Sequence, residues 1–239
     1  MFDHAVRAAL SPILIAQALG VRRMAQSLPE AAGPRSGQLG AGPPLRLRII
    51  GDSSAAGVGV RTQSDALAGQ VAHNLAGHFS CHWAVDAYTG ATTRSTLARL
   101  QTATPAPCDI VITALGVNDI TRLVRPAVWL DLQHQLLTRI RTLYGPRHIY
   151  LSGVPPLQHF PLLPNPLRWT LARQGRAFEA QLSAYAGSRP DLTYLPAEYD
   201  LDPELMASDG FHPSEKLYAI WGQKMASRIL SDWPRFLVD

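Results

Sequence analysis

A chain of 239 residues that is 46% hydrophobic and 17% charged carries enough apolar side chain to bury a core, which excludes intrinsic disorder. The formal charge is +4, but only Lys216 and Lys224 among the 22 basic residues are lysines and no basic run exceeds Arg22-Arg23, which excludes a nucleic-acid-binding stripe. Cys81 and Cys108 are too few for a disulfide framework and read as free buried thiols.

Residues 1–44 read as a helix followed by a linker. No apolar run reaches the ~20 residues that span a bilayer. The stretch Leu10 to Gly20 is apolar, but Arg22 and Arg23 follow it and only Arg7 precedes it. That is the wrong polarity for a signal peptide. The segment therefore reads as a retained helix that begins near Ser11-Pro12 and packs on the domain; peripheral contact with a membrane surface is the alternative. The compartment expected is cytoplasmic, with periplasmic or membrane-associated as alternatives. Residues 28–44, rich in Pro, Gly and Ala, read as a linker.

From residue 45 to 239 the chain reads as one domain in which strands and helices alternate. Leu45, Leu47 and Ile49 alternate with Arg46 and Arg48 as a strand requires, and Ile50 makes the strand's end fully apolar. Gly51-Asp52-Ser53 and a run of small residues then turn the chain. Ser64 is the expected cap of a helix whose Leu67, Val71, Leu75 and Phe79 share one face. A second strand, 82–88, ends at Thr89-Gly90, and Thr92 or Thr93 caps the next helix. Residues 109–115 form the clearest strand and lead into Gly116-Val117-Asn118-Asp119. A helix over 127–144, a strand over 148–151, a helix around 168–185 and a short strand over 193–195 follow. Asp209-Gly210-Phe211-His212 precedes a last helix capped by Ser214. Such alternation makes the class α/β with a parallel sheet.

The chemistry gathers at strand ends, where open α/β sheets bind ligands. A serine hydroxyl at neutral pH needs a base within hydrogen-bond reach, usually a histidine oriented by a carboxylate. Asp209 and His212 are close enough in sequence for one tight loop to join them. Acyl transfer also needs donors aimed at the developing oxyanion. The Ser53 N–H, the Gly90 N–H and the Asn118 amide are the candidates. His78-x-x-Cys81-His82 lacks the second ligand pair of a zinc site, so no metal site is assigned. The absence of Gly-x-Ser-x-Gly, of Gly-Lys-Ser/Thr, and of a third glycine after Gly57-x-Gly59 removes the α/β-hydrolase elbow, the P-loop and dinucleotide binding.

Gly51-Asp52-Ser53, Gly90, Gly116-x-Asn118-Asp119 and Asp209-x-x-His212 resemble, in order, the four blocks of the SGNH (GDSL-type) hydrolase family, across Leu45 to Trp221. Ser54 departs from the family pattern, which has Leu there. The resemblance implies a three-layer α/β/α, flavodoxin-like sandwich with a five-stranded parallel sheet. It implies Ser53 as nucleophile, His212 as general base and acid, and Asp209 as its orienter. Gly90 and Asn118 would join the Ser53 N–H in the oxyanion hole. The activity implied is hydrolysis of a small-molecule ester of short acyl chain through an acyl-enzyme, with no cofactor. Acyl transfer, O-deacetylation of a sugar or lipid, and an inactive ligand-binding module are the alternatives. The proline-rich stretch 154–169 reads as a pocket wall carrying Phe160, Leu162 and Trp169, or else as a connector packed on the domain edge.

Overall fold

The computed structural model describes residues 2–24, 26–197 and 202–237, and within them the side chains other than those of 2–9, 22, 203 and 237. Strand β2 (Pro44–Gly51) is central, in parallel pairing with β3 (Ser80–Ala87) on one edge and β4 (Ile110–Ala114) on the other. Strands β5 (His148–Ser152) and β6 (Leu192–Leu195) extend the sheet in parallel beyond β4. Among the described residues the sheet has six strands, not the five expected, in the order β1-β3-β2-β4-β5-β6. The extra strand β1 (Ser36–Leu39) lies antiparallel to β3 and comes from the stretch that reads as a linker. Its Ser-Gly-Gln-Leu sequence has no apolar alternation, and all four residues are exposed. Backbone pairing holds it, with the Trp83 ring against Gly37, where a Cβ would come within 2.9 Å.

Leu45, Leu47 and Ile49 point from β2 into a core with helices α2 (Leu67–Leu75) and α7 (Glu215–Asp232). Ile50 points into the opposite core, made with α3 (Thr93–Gln101), α5 (Pro126–Tyr144) and α6 (Leu167–Gly187). The alternation read in the sequence thus produces three layers, each buried aliphatic side chain contributing about 1.5–3 kcal/mol. Arg48 lies on the α5 side with its guanidinium 4.6 Å from the Tyr144 ring centroid, so a charged side chain covers apolar surface. Arg46 is tied to Asp109 at 2.9 and 3.1 Å beside β4.

Helix boundaries differ from the sequence reading at two places. Helix α1 spans Phe2–Met24 with Pro12 in its interior, so it begins about two and a half turns earlier than Ser11-Pro12 suggests. Pro12 forfeits one backbone hydrogen bond, and the alanine-rich residues ahead of it favour helix strongly enough to continue. Leu14 of α1 is buried in the core on the α6 side. The Gln17 amide donates to Asn165 O (2.7 Å) and accepts from Leu167 N (3.0 Å). Among the described residues no helix is long and apolar enough to cross a membrane. Helix α2 is capped by Ala66 without a side-chain bond, not by Ser64. The cause is a preceding turn, closed by Thr62 Oγ1 donating to Asp65 at 2.6 Å, which delays the helix. Thr92 and Ser214 do cap α3 and α7, and Thr92 forms a reciprocal capping box with Ser95.

Phe178 is fully buried and stacks on Trp129 with centroids 4.0 Å apart. Phe178→Ala is expected to cost about 3–5 kcal/mol, read as a lower urea midpoint at unchanged slope.

Candidate active site

The sheet register brings the site together. Gly51, the last residue of β2, is level with Ala87 of β3 and Ala114 of β4. The loops that carry Ser53, Gly90 and Asn118 therefore leave the sheet side by side at its carboxyl edge, at the switch point of the strand order. His212 arrives from the loop ahead of α7 on the same edge. Its Nε2 lies 2.8 Å from Ser53 Oγ, and its Nδ1 lies 2.5 Å from Asp209 Oδ2.

Asp209 and His212 are fixed locally. The second oxygen of Asp209 accepts the backbone N–H groups of Phe211 and His212, each at 3.0 Å. This turn needs Gly210 at φ +67°, a left-handed conformation natural to glycine. Burial would raise the Asp209 carboxyl, but the His212 N–H, the His212 ring and the Phe211 N–H outweigh it and hold the group below the usual carboxylate range. An ionised Asp209 can only accept, so Nδ1 of His212 carries the proton and Nε2 is left to accept from Ser53.

Ser54, the neighbouring hydroxyl, is turned away. Its Oγ and N–H both donate to Asp52 Oδ1, at 2.8 and 3.0 Å. Burial pushes the Asp52 carboxyl up, against these hydrogen bonds and the attraction of His212. The Ser53 loop is also braced from α7, where the buried Tyr218 hydroxyl lies 2.7 Å from Ser54 O and 2.8 Å from Val58 O.

Gly90 sits at φ +77° in the turn after β3. Among the described residues neither the Ser53 N–H nor the Gly90 N–H has a hydrogen-bond acceptor. Asn118, in the short helix α4 (Val117–Thr121), donates from Nδ2 to Ala91 O at 3.0 Å and approaches Asp52 Oδ2 at 3.4 Å. The next residue anchors that helix. Asp119 Oδ2 accepts from Thr93 N (3.0 Å) and Thr93 Oγ1 (2.9 Å), and the same hydroxyl accepts from Trp129 Nε1 and Gln133 Nε2, both at 3.1 Å. Burial pushes the Asp119 carboxyl up against the Thr93 bonds. Asp119 thus ties the Asn118 loop to the start of α3, just beyond Gly90.

The family model for the GDSL-like lipase/acylhydrolase family matches residues 49–220. The chain belongs to that family. No curated protein matches this sequence. Solved structures share the fold at low identity. A lipase from a goat rumen metagenome has a TM-score of 0.63 and 18% identity, over 77% of this chain and 96% of that one. A GDSL-family lipolytic protein from Veillonella parvula gives 0.60 and 16%, over 80% and 99%. A lipase/acylhydrolase from Enterococcus faecalis gives 0.60 and 19%, over 78% and 96%. This chain is therefore a GDSL-like hydrolase, and β1 lies ahead of the region that the family model matches.

A cavity of about 240 Å³ opens beside Ser53, Asn118 and His212, and its walls are mainly apolar, with Leu115, Val154, Phe160, Leu163, Phe211 and Trp221 among them. Phe160 is among the residues that line this cavity. Leu162 and Trp169 are not. Leu162 is half-exposed and leans over Gly210, and Trp169 faces solvent under the Arg173 guanidinium. The sequence reading missed Tyr218, which looks like an ordinary helix residue until the fold sets its hydroxyl beneath the Ser53 loop, and it offered Thr93 only as a helix cap, whereas Thr93 anchors Asp119. Burial pushes the Cys81 thiol up to about 12 and the Cys108 thiol up to about 11, which makes both poor nucleophiles.

Asp209 links the site to stability. Its folded pKa lies below the unfolded value of about 3.9, so its contribution is complete above that pH and is lost as pH falls through the folded value. Asp209→Asn should lower the urea midpoint at pH 7 and narrow the gap between the pH 7 and pH 3 midpoints.

Proposed function

We propose that the protein hydrolyses carboxylic esters of short acyl chain through an acyl-enzyme on Ser53. The observation that carries this reading is the continuous chain from Ser53 Oγ through His212 to Asp209, at 2.8 and 2.5 Å, set at an apolar cavity. Ser53 Oγ attacks the acyl carbonyl while its proton passes to His212 Nε2. The carbonyl oxygen becomes an oxyanion and takes the free Ser53 and Gly90 N–H groups, with the Asn118 amide turning from its long contact with Asp52. Collapse breaks the bond to the alcohol, which leaves with the proton from Nε2. Water then repeats the sequence on the acyl-enzyme and releases the acid. Asp209 stays ionised throughout and steadies the imidazolium.

The cavity of about 240 Å³ beside Ser53 has room for a short acyl group, and it shares Val154, Pro155, Leu157 and Ala197 with a neighbouring cleft. Its apolar walls suit an acyl group better than a sugar. The inactive-module reading is disfavoured because all three catalytic side chains are hydrogen-bonded in sequence.

Hydrolysis of p-nitrophenyl acetate and butyrate near pH 8 tests the proposal. Ser53→Ala should abolish turnover and labelling by a fluorophosphonate, and Asn118→Ala should lower kcat by about 10²–10³-fold. Retained activity in Ser53→Ala would move the nucleophile elsewhere. Phe160→Ala enlarges the cavity and should raise the butyrate-to-acetate ratio of kcat/KM; an unchanged ratio would place the acyl group outside it.

A further inference from the structure

The short segment ahead of β1 touches both loops that hold the free N–H groups. Glu30 Oε1 accepts from the backbone N–H of Thr89 at 2.6 Å and from its hydroxyl at 2.8 Å. The other Glu30 oxygen pairs with Arg35, whose guanidinium also donates to Ala87 O at the end of β3. Arg35 and Arg99 lie against the Tyr88 ring at 5.2 and 4.3 Å from its centroid. On the other side, Ala31 N donates to Ala56 O (3.3 Å), and the buried Gln63 amide donates to Ala31 O (3.1 Å) and Ala56 O (3.0 Å). Ala31 therefore abuts the Ser53 loop while Glu30 grips the Gly90 loop. None of residues 30–35 lies in the region that the family model matches, 49–220.

The geometry of the Gly90 turn gives this grip a consequence. Ala91 N donates to Tyr88 O at 3.1 Å and Gly90 has φ +77°, which makes Tyr88 to Ala91 a type II turn with Thr89 at its second position. The central peptide of that turn carries the Gly90 N–H. A type I turn spans the same ends with that peptide rotated by about 150–170°. The Gly90 N–H would then point away from where it points now. Glu30 fixes the Tyr88–Thr89 peptide through the Thr89 N–H and fixes the Thr89 side chain through its hydroxyl, and so anchors the residue whose ψ the rotation would change. Burial would raise the Glu30 carboxyl, but the two Thr89 bonds and Arg35 outweigh it and keep the group ionised.

We infer that Glu30 is a positioning residue for the oxyanion hole, anchoring Thr89 at the start of the turn so that the following peptide keeps the Gly90 N–H facing the acyl carbonyl. This rests on the reading of Gly90 as an oxyanion donor. Glu30 touches no reacting atom, and its effect passes through Thr89.

The test compares Glu30→Ala, Glu30→Gln and Glu30→Asp in the full chain on p-nitrophenyl acetate, with thermal midpoints measured beside them. Gln keeps the reach and the acceptor oxygen but loses the charge. Asp keeps the charge for Arg35 but is one methylene too short for Thr89. Positioning predicts that Glu30→Ala lowers kcat at least about tenfold with KM within about twofold, that Glu30→Asp resembles it, and that Glu30→Gln recovers most of the rate. A purely structural ion pair with Arg35 predicts the opposite order, with Asp better than Gln in both rate and thermal midpoint. That order, equal rates for Gln and Asp, or a Glu30→Ala kcat within about twofold of wild type overturns the inference. Should Glu30→Ala not fold, the Gln and Asp pair decides alone. Failure of the serine mechanism is separate, because it shows as activity in Ser53→Ala whatever the Glu30 series does.

Discussion

Burial of β2 on both faces is the constraint from which the rest of the structure follows. Leu45, Leu47 and Ile49 fill one core and Ile50 the other, and both edges are paired in parallel. A strand so enclosed can offer polar chemistry only at its ends. Parallel neighbours in register with Gly51 then deliver their own loops to the same end, so three backbone turns converge without any side chain having to reach far. Helix α7 closes the group by bringing the Asp209 loop in at its start and Tyr218 beneath the Ser53 turn.

Three buried aspartates near the site illustrate how surroundings divide one residue type into different tasks. Asp209 receives two backbone N–H groups and the imidazole, and these overcome the cost of burying its charge. Asp52 and Asp119 receive fewer or weaker donors and are pushed up by burial. They serve as braces, one for the Ser53 turn and one for the helix that carries Asn118. In the mechanism proposed here, only the first must remain charged while the imidazole gains its proton.

The segment 30–39 changes what counts as the domain. It supplies an edge strand, pairs with the Ser53 loop through Ala31 and Gln63, and holds Thr89 through Glu30. The working unit therefore begins before residue 45, where the sequence reading places its start. A composition of Pro, Gly and Ala gives no sign of this, because the contacts are made mostly by backbone groups that every residue type carries.

The sequence by itself determined the class, the order of most elements and the local pairing of the loop ahead of the last helix. Alternation in 45–50, the apolar run 110–115 and the glycines at strand ends are local signals, and so is the Asp209-x-x-His212 pair, whose hydrogen bonds close within three residues. Helix caps at Thr92 and Ser214 were legible for the same reason. Tertiary structure alone decided that Ser53 meets a histidine 159 residues away, that Ser54 turns to Asp52 and not to the base, that Phe160 faces the cavity while Leu162 and Trp169 do not, and that Glu30 reaches Thr89. Periodicity and short-range hydrogen bonds are written in neighbouring residues. The meeting of distant side chains depends on the packing and register of the whole sheet, to which every element contributes.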